Sequence, residues 1–189
     1  MNDDPKLLYP LDVVYAQAGA PLPPASRISG EEVPEPYKQL LVHRNDMTPT
    51  LEAFHRDRIH LRVSRWRLEG ESYMRQVVLL LNGSDRPVEF GAIVIHTDRF
   101  PPAAREVILE GQSPLGTILA THGIEHSSCP QAFLRVLSND GINEALGLST
   151  PQVLYGRRNV LSDSGGEKLA EVLEILPPLG GSSANEVAK

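Results

Sequence analysis

The sequence predicts an α+β fold built on an antiparallel β-sheet, because strand signals dominate and the helices between them are short. Three stretches carry this expectation. Residues 72–97, SYMRQVVLLLNGSDRPVEFGAIVIHT, hold two β-rich runs on either side of Asn82-Gly83-Ser84-Asp85-Arg86-Pro87, a turn cluster of hairpin length. Both arms are apolar on two faces, as central strands with cover are. A second hairpin is predicted from VLYGRRNVLS, the turn Asp163-Ser164-Gly165-Gly166 and KLAEVLEILP. IHLRV (59–63) alternates apolar and polar residues as a half-buried strand does.

The remaining elements follow in order. Residues 17–36 carry Pro21, Pro23, Pro24, Pro34 and Pro36 without apolar periodicity, which predicts an extended, mostly exposed stretch. A helix is expected from Thr48, read as its N-cap with Pro49 in the first helical position, to His55. Pro101 to Leu109 and Ser113 to Ala120 open the same way, QAFLRVLS (131–138) reads as a strand, and Asn139 to Leu146 as a short helix. KLAEVLEIL contains good helix formers, yet a hairpin turn before it and Pro177-Pro178 after it favour a strand. The predicted organisation is an extended Pro-rich N-terminal segment (1–36), a folded domain (37–178) and a flexible tail (179–189).

Composition narrows the function. The 189 residues hold 18 Lys and Arg against 24 Asp and Glu, a formal charge of −6, with no basic run, so nucleic acid and anionic membrane are not expected partners. Cys129 is the sole cysteine, too few for an internal disulfide or a thiolate zinc site. No stretch approaches the ~20 apolar residues that span a bilayer, and the expected location is cytoplasmic. His122 and His126 are spaced i, i+4 but straddle Gly123 in THGIEHSSCP, so a loop is expected there and no metal site. His60 and His96 are expected to point from the sheet surface. Cys129 reads as a loop thiol, and no nucleophile elbow, P-loop or dinucleotide-binding turn is present.

Charges set inside apolar strands are the candidates that remain. Arg75 shares a strand face with Tyr73, Val77, Leu79 and Leu81, and an arginine aimed into such a face needs an anion, from the protein or from a ligand. Glu174 stands beside Val172 and Leu176, where burial would raise its pKa, with Glu171 as a rival carboxylate on the opposite face. Arg75 and Glu174 could also simply pair with each other, and Arg157 and Arg158 read by default as a solvated strand end.

Several segments, taken in order, resemble the chorismate pyruvate-lyase family: Leu40 to Thr48, Tyr73 to Leu79, Arg86 to Ala92, Ser113-Pro114-Leu115-Gly116, Leu154-Tyr155-Gly156-Arg157-Arg158 and Glu174-Ile175-Leu176-Pro177. The resemblance spans residues 40–178. It implies a single antiparallel sheet with short helical flaps covering one side and an internal ligand cavity. It also implies a cofactor-independent lyase that eliminates pyruvate from chorismate to leave 4-hydroxybenzoate. Carried over by position, Arg75 would hold the substrate carboxylate with help from the backbone N–H groups of Met47 and Leu115. Glu174 would hold the ring oxygen and carry the proton. The partner would be a small molecule, chorismate or its aromatic acid product, with no metal and no cofactor.

The alternative from another class is a non-catalytic sensor of the same fold that binds a small aromatic or carboxylate ligand. A sensor of this kind is normally joined to a DNA-binding helical domain, and residues 1–36 show no helix-turn-helix pattern, which favours the lyase at this stage. A third reading, a protein partner engaging the Pro-rich segment, accounts for residues 17–36 but leaves the strand charges unexplained. Oligomeric state is not legible.

Overall fold

A computed structural model describes residues 6–179. The antiparallel sheet predicted from sequence is present, with seven strands in the order β1-β5-β6-β7-β4-β3-β2. Chain order gives α1 (Leu11–Gln17), β1 (Ala25–Ile28), α2 (Tyr37–Leu41), α3 (Met47–His55), β2 (Ile59–Glu69), β3 (Ser72–Leu81) and β4 (Pro87–His96). After these come α4 (Pro102–Glu110), α5 (Leu115–Thr121), β5 (Ser127–Leu137), α6 (Asp140–Leu146), β6 (Val153–Ser162) and β7 (Lys168–Leu176).

The two predicted hairpins form the centre. β3 pairs with β4 through a turn in which Asp85 takes a left-handed φ of 54° and its N–H donates to the Leu81 carbonyl at 2.8 Å. β6 pairs with β7, which is the strand that its flanking turn and prolines predict, and β7 docks on β4. β5 extends the second hairpin and tolerates Pro130 because the register shifts there, relieving the ladder of a missing donor. A bulge opposite Leu79 and Leu80 places both Val88 and Glu89 on one side of β4.

Strand parity then sorts the core. Val78, Leu80, Phe90, Ala92, Leu134, Leu173 and Ile175 face one way and pack under α1 and α6 through Leu11, Tyr15, Ile142 and Leu146. The opposite face carries two separate clusters. Tyr73, Ile93, Ile95, Leu161 and Ala170 meet α4 and α5, whereas Leu79, Leu81 and Leu176 meet α2 and α3. The α3 and α5 flaps lie over the expected side, and α1 and α6 add cover on the other.

The N-terminal segment departs from the expectation of an extended, exposed stretch. Residues 11–17 form α1, Leu7, Leu8, Leu11 and Val14 are buried, and residues 25–28 pair with β5 as an edge strand. Its prolines left no periodic pattern to read, and a four-residue edge strand takes its stability from the partner rather than from its own sequence. Helix α3 begins at Met47 with Asp46 as N-cap, so Thr48 lies inside the first turn and Pro49 is the third helical residue rather than the first. Of the tail, Leu179 packs beside the α2–α3 cluster, and 180–189 lie outside the described residues. Among the described residues no helix is long and apolar enough to cross a membrane.

Gly156 shows why the β6 motif contains glycine. A Cβ there would lie 2.3 Å from the Glu174 carbonyl oxygen and 3.2 Å from Ile175 Cα, backbone atoms of the adjoining strand that cannot rotate away. Gly156→Ala is expected to lower stability by about 1–3 kcal/mol. A urea midpoint unchanged from wild type contradicts this close approach.

Candidate functional site

The cavity opens where the two clusters on the flap side fail to meet. Its empty space, open solvent at the mouth included, is about 560 Å³, and it lies between the strand floor and the starts of α3 and α5. The floor follows from register: Arg75 lies opposite Ile93, Ile93 opposite Val172, and Val172 opposite Asn159, one row across β3, β4, β7 and β6. The next row runs Val77, Gly91, Glu174, Arg157.

Arg75 is 2% exposed and lies on that floor. Its Nη2 donates to the Ser113 carbonyl at 3.0 Å, just ahead of α5, and its guanidinium lies 5.8 Å from the Tyr73 ring centroid. Its Nε and Nη1 meet no hydrogen-bond partner among the described residues. Burial lowers its basicity and Tyr73 works the other way, yet a guanidinium stays charged at any pH a folded protein meets. The site therefore holds a desolvated cation with two donors unused.

Glu174 does not pair with Arg75. It forms a buried ion pair with Arg157 Nε on the neighbouring strand. Arg157 is wholly buried, so the expected solvated strand end is corrected. Its Nη1 donates to the carbonyls of Leu41 at 3.3 Å and His43 at 3.1 Å, and its Nη2 to that of Asn45 at 3.1 Å. One side chain thus neutralises Glu174 and ties the loop between α2 and α3 to the sheet. Burial, followed by the adjacent Arg157 cation, holds His43 below its ordinary 6.5. The neutral ring fits its contacts, with Nε2 donating to the Leu40 carbonyl at 2.7 Å and Nδ1 accepting from the Asn45 N–H at 3.1 Å.

Glu89 also lines the cavity and is fully enclosed. Burial first, then the Glu174 carboxylate beside it, pushes its carboxyl well above the usual range, with Arg157 pulling weakly the other way.

A second tie closes the α3 flap. His126, at the entry to β5, points Nε2 at the Asp46 carboxylate oxygens at 2.9 and 3.0 Å and Nδ1 at the Ile124 carbonyl at 2.9 Å. Burial opposes the charged ring, but the Ile124 carbonyl and the Asp46 carboxylate outweigh it and raise the pKa from 6.5. A raised folded-state value means that the contribution is complete below the unfolded value and fades as pH climbs through the folded one. The melting-temperature gap between wild type and His126→Gln is therefore expected to be wider at about pH 6 than at about pH 8.5. A gap constant across that range contradicts the ion pair.

All four residues proposed from sequence, Met47, Arg75, Leu115 and Glu174, line this one cavity. Met47 and Leu115 are the first residues of α3 and α5, the two flaps. Sequence reasoning missed Glu89, Arg157 and Asn159. Glu89 carries the signal that found Arg75, a charge within an apolar run; Asn159, next to Arg157-Arg158 in a strand end, carries none.

No protein-family description matches the sequence, and no curated protein matches it. Solved structures do share the fold. A gene product of Staphylococcus aureus superposes with a TM-score of 0.54 at 10% identity, over 72% of this chain and 90% of that one. The effector domain of PhnF from Mycobacterium smegmatis superposes at 0.52 with 13% identity, over 69% and 87%. The ligand-binding domain of a GntR-family transcriptional regulator from Bordetella bronchiseptica gives 0.46 with 14% identity, over 68% and 91%. These neighbours place the chain in the expected α+β fold. The expected enzyme class is corrected as well: the PhnF domain that shares this fold is described as an effector domain, and no likeness to an enzyme supports the lyase. The geometry gives the physical side of that correction, since the Glu174 carboxylate meant to carry a proton is committed to Arg157.

Proposed function

We propose that this chain is a small-molecule-binding domain of the effector type, taking a compact carboxylate with an apolar, preferably aromatic, body. The observation that carries the proposal is Arg75, a buried guanidinium with two nitrogens that meet no hydrogen-bond partner among the described residues, on the floor of a cavity walled by Val77, Leu79, Ile93, Leu161 and Val172. A planar fork of N–H groups matches a carboxylate with two parallel hydrogen bonds. Apolar walls contribute by burying the ligand body. In this reading Met47 and Leu115 bring the α3 and α5 flaps over the bound anion, and Glu174 is a wall residue held by Arg157.

Titration calorimetry with benzoate and 4-hydroxybenzoate against their uncharged amides tests the proposal. The acids are expected to bind at least ~30-fold tighter than the amides, the lower end of what truncating a buried charged contact costs. Equal binding of acids and amides, or binding of neither, contradicts it.

A further inference from the structure

A charged pair stands at the opening of this cavity. Of the carboxyl groups that line it, Glu89 and Glu174 are buried and Asp46 is partly exposed, which sets Asp46 at the mouth. The starts of α3 and α5 meet there: a Cβ added to Gly116 would lie 3.2 Å from Thr48 Oγ1 and 3.8 Å from Asp46 Cβ. An aspartate in the N-cap position ordinarily accepts a hydrogen bond from its own helix. Asp46 makes no such bond, and its carboxylate oxygens turn to His126 Nε2 instead.

The His126 ring has acceptors on both sides, the Ile124 carbonyl at Nδ1 and the Asp46 carboxylate at Nε2. Only an imidazolium donates from both nitrogens, so the geometry holds a cation against Asp46. Its neighbours in sequence, His122 and Glu125, are exposed, as is Arg44 ahead of α3. Helix α5 has no titratable residue, and β5 and β6 bring Ser127, Cys129 and Ser162 to that end of the sheet. Inside the cavity the ionisable groups are Arg75, Glu89 and Glu174, and among all of these Asp46 is the charge that acts on the ring. Burial disfavours the charged ring, yet the Ile124 carbonyl and Asp46 together raise its pKa from the ordinary value. A bare carboxylate at the mouth opposes a carboxylate on its way to Arg75, and a proton on His126 removes that opposition.

Resting on the anion-site reading above, we propose that His126 sets the charge of the cavity mouth. Its doubly protonated ring cancels Asp46 and admits a carboxylate to Arg75, and loss of one proton leaves Asp46 bare and weakens the hold on the same ligand.

The test is calorimetric titration of the full chain with benzoate and with benzamide at about pH 6 and about pH 8.5, a range in which a carboxylic acid of pKa ~4 stays ionised. Benzoate is expected to bind wild type ~3-fold or more tighter at the lower pH, the order produced by one uncancelled unit charge near a partly exposed site. Benzamide, which has no charge, is expected to bind alike at both. In His126→Gln the benzoate affinity is expected not to vary with pH and to match the weaker wild-type value. Adding Asp46→Asn, which removes the charge and keeps a polar group of the same shape, is expected to restore the tighter value at both pH values, a recovery that loss of a merely structural tie does not give. Wild-type benzoate binding that does not vary with pH overturns the gate and leaves the anion site standing. So do equal losses for acid and amide, and a pH dependence that survives His126→Gln and so belongs to Glu89 or another group. Failure of benzoate to bind at either pH overturns the anion site and the gate with it.

Discussion

Arg157→Ala is expected to destabilise the domain by about 3–5 kcal/mol, the cost of leaving a buried charge without its partner. At the usual ~2–4 °C per kcal/mol for a domain of this size, the melting temperature falls by roughly 6–20 °C. Two losses combine. Glu174, 5% exposed, is left as an uncompensated carboxylate beside Glu89, and the carbonyls of Leu41, His43 and Asn45 lose the donor that anchors the α2–α3 loop. Removing both charges distinguishes a structural pair from a functional one. Arg157→Met with Glu174→Leu is expected to recover a large part of the loss, because an apolar pair of similar volume avoids the desolvation of two ions. If thermal denaturation shows Arg157→Ala within ~1 kcal/mol of wild type, the buried tie described here is wrong.

Arg75→Met is expected to do the opposite, raising stability while abolishing ligand binding. A buried guanidinium supported only by one carbonyl and the Tyr73 side chain is a net cost to folding, because its desolvation is only partly offset. Methionine fills the same elongated space without that cost, and a gain of about 1 kcal/mol or more is expected. Carboxylate affinity falls by at least ~30-fold, since the charge and the two unused donors leave together. Sites shaped for ligands commonly carry strain of this kind, and relieving it stabilises the protein at the expense of function. The contrast between the two arginines is diagnostic: every guanidinium nitrogen of Arg157 is engaged by the protein, whereas two of Arg75 meet no hydrogen-bond partner among the described residues.

The sheet was legible because its central strands are long apolar runs punctuated by unmistakable turns, as in Asn82 to Pro87 and Asp163 to Gly166. Arg75 was legible for a related reason: within a single strand, alternation fixes which neighbours share its face. Pairing between strands was not. Whether Glu174 meets Arg75 or Arg157 depends on the β4–β7 and β6–β7 registers, which periodicity within one strand leaves open. Arg157 therefore passed for a solvated end, although it is the best-satisfied charge in the site. Glu89 shows the converse, a carboxyl within the apolar run VEFGAIVI that carried the same signal as Arg75 and was not taken up. Residues 7–28 were opaque because their burial and pairing come from β5 and the far face of the sheet, not from any local pattern.

The most direct test is a pair of melting curves, with and without saturating 4-hydroxybenzoate, for wild type and Arg75→Met. The account predicts that the ligand raises the wild-type melting temperature, and that the variant melts higher than wild type without ligand and is not shifted by adding it. A variant that melts lower and still responds to the acid would mean that Arg75 serves the fold and that the cavity does not bind carboxylates through it.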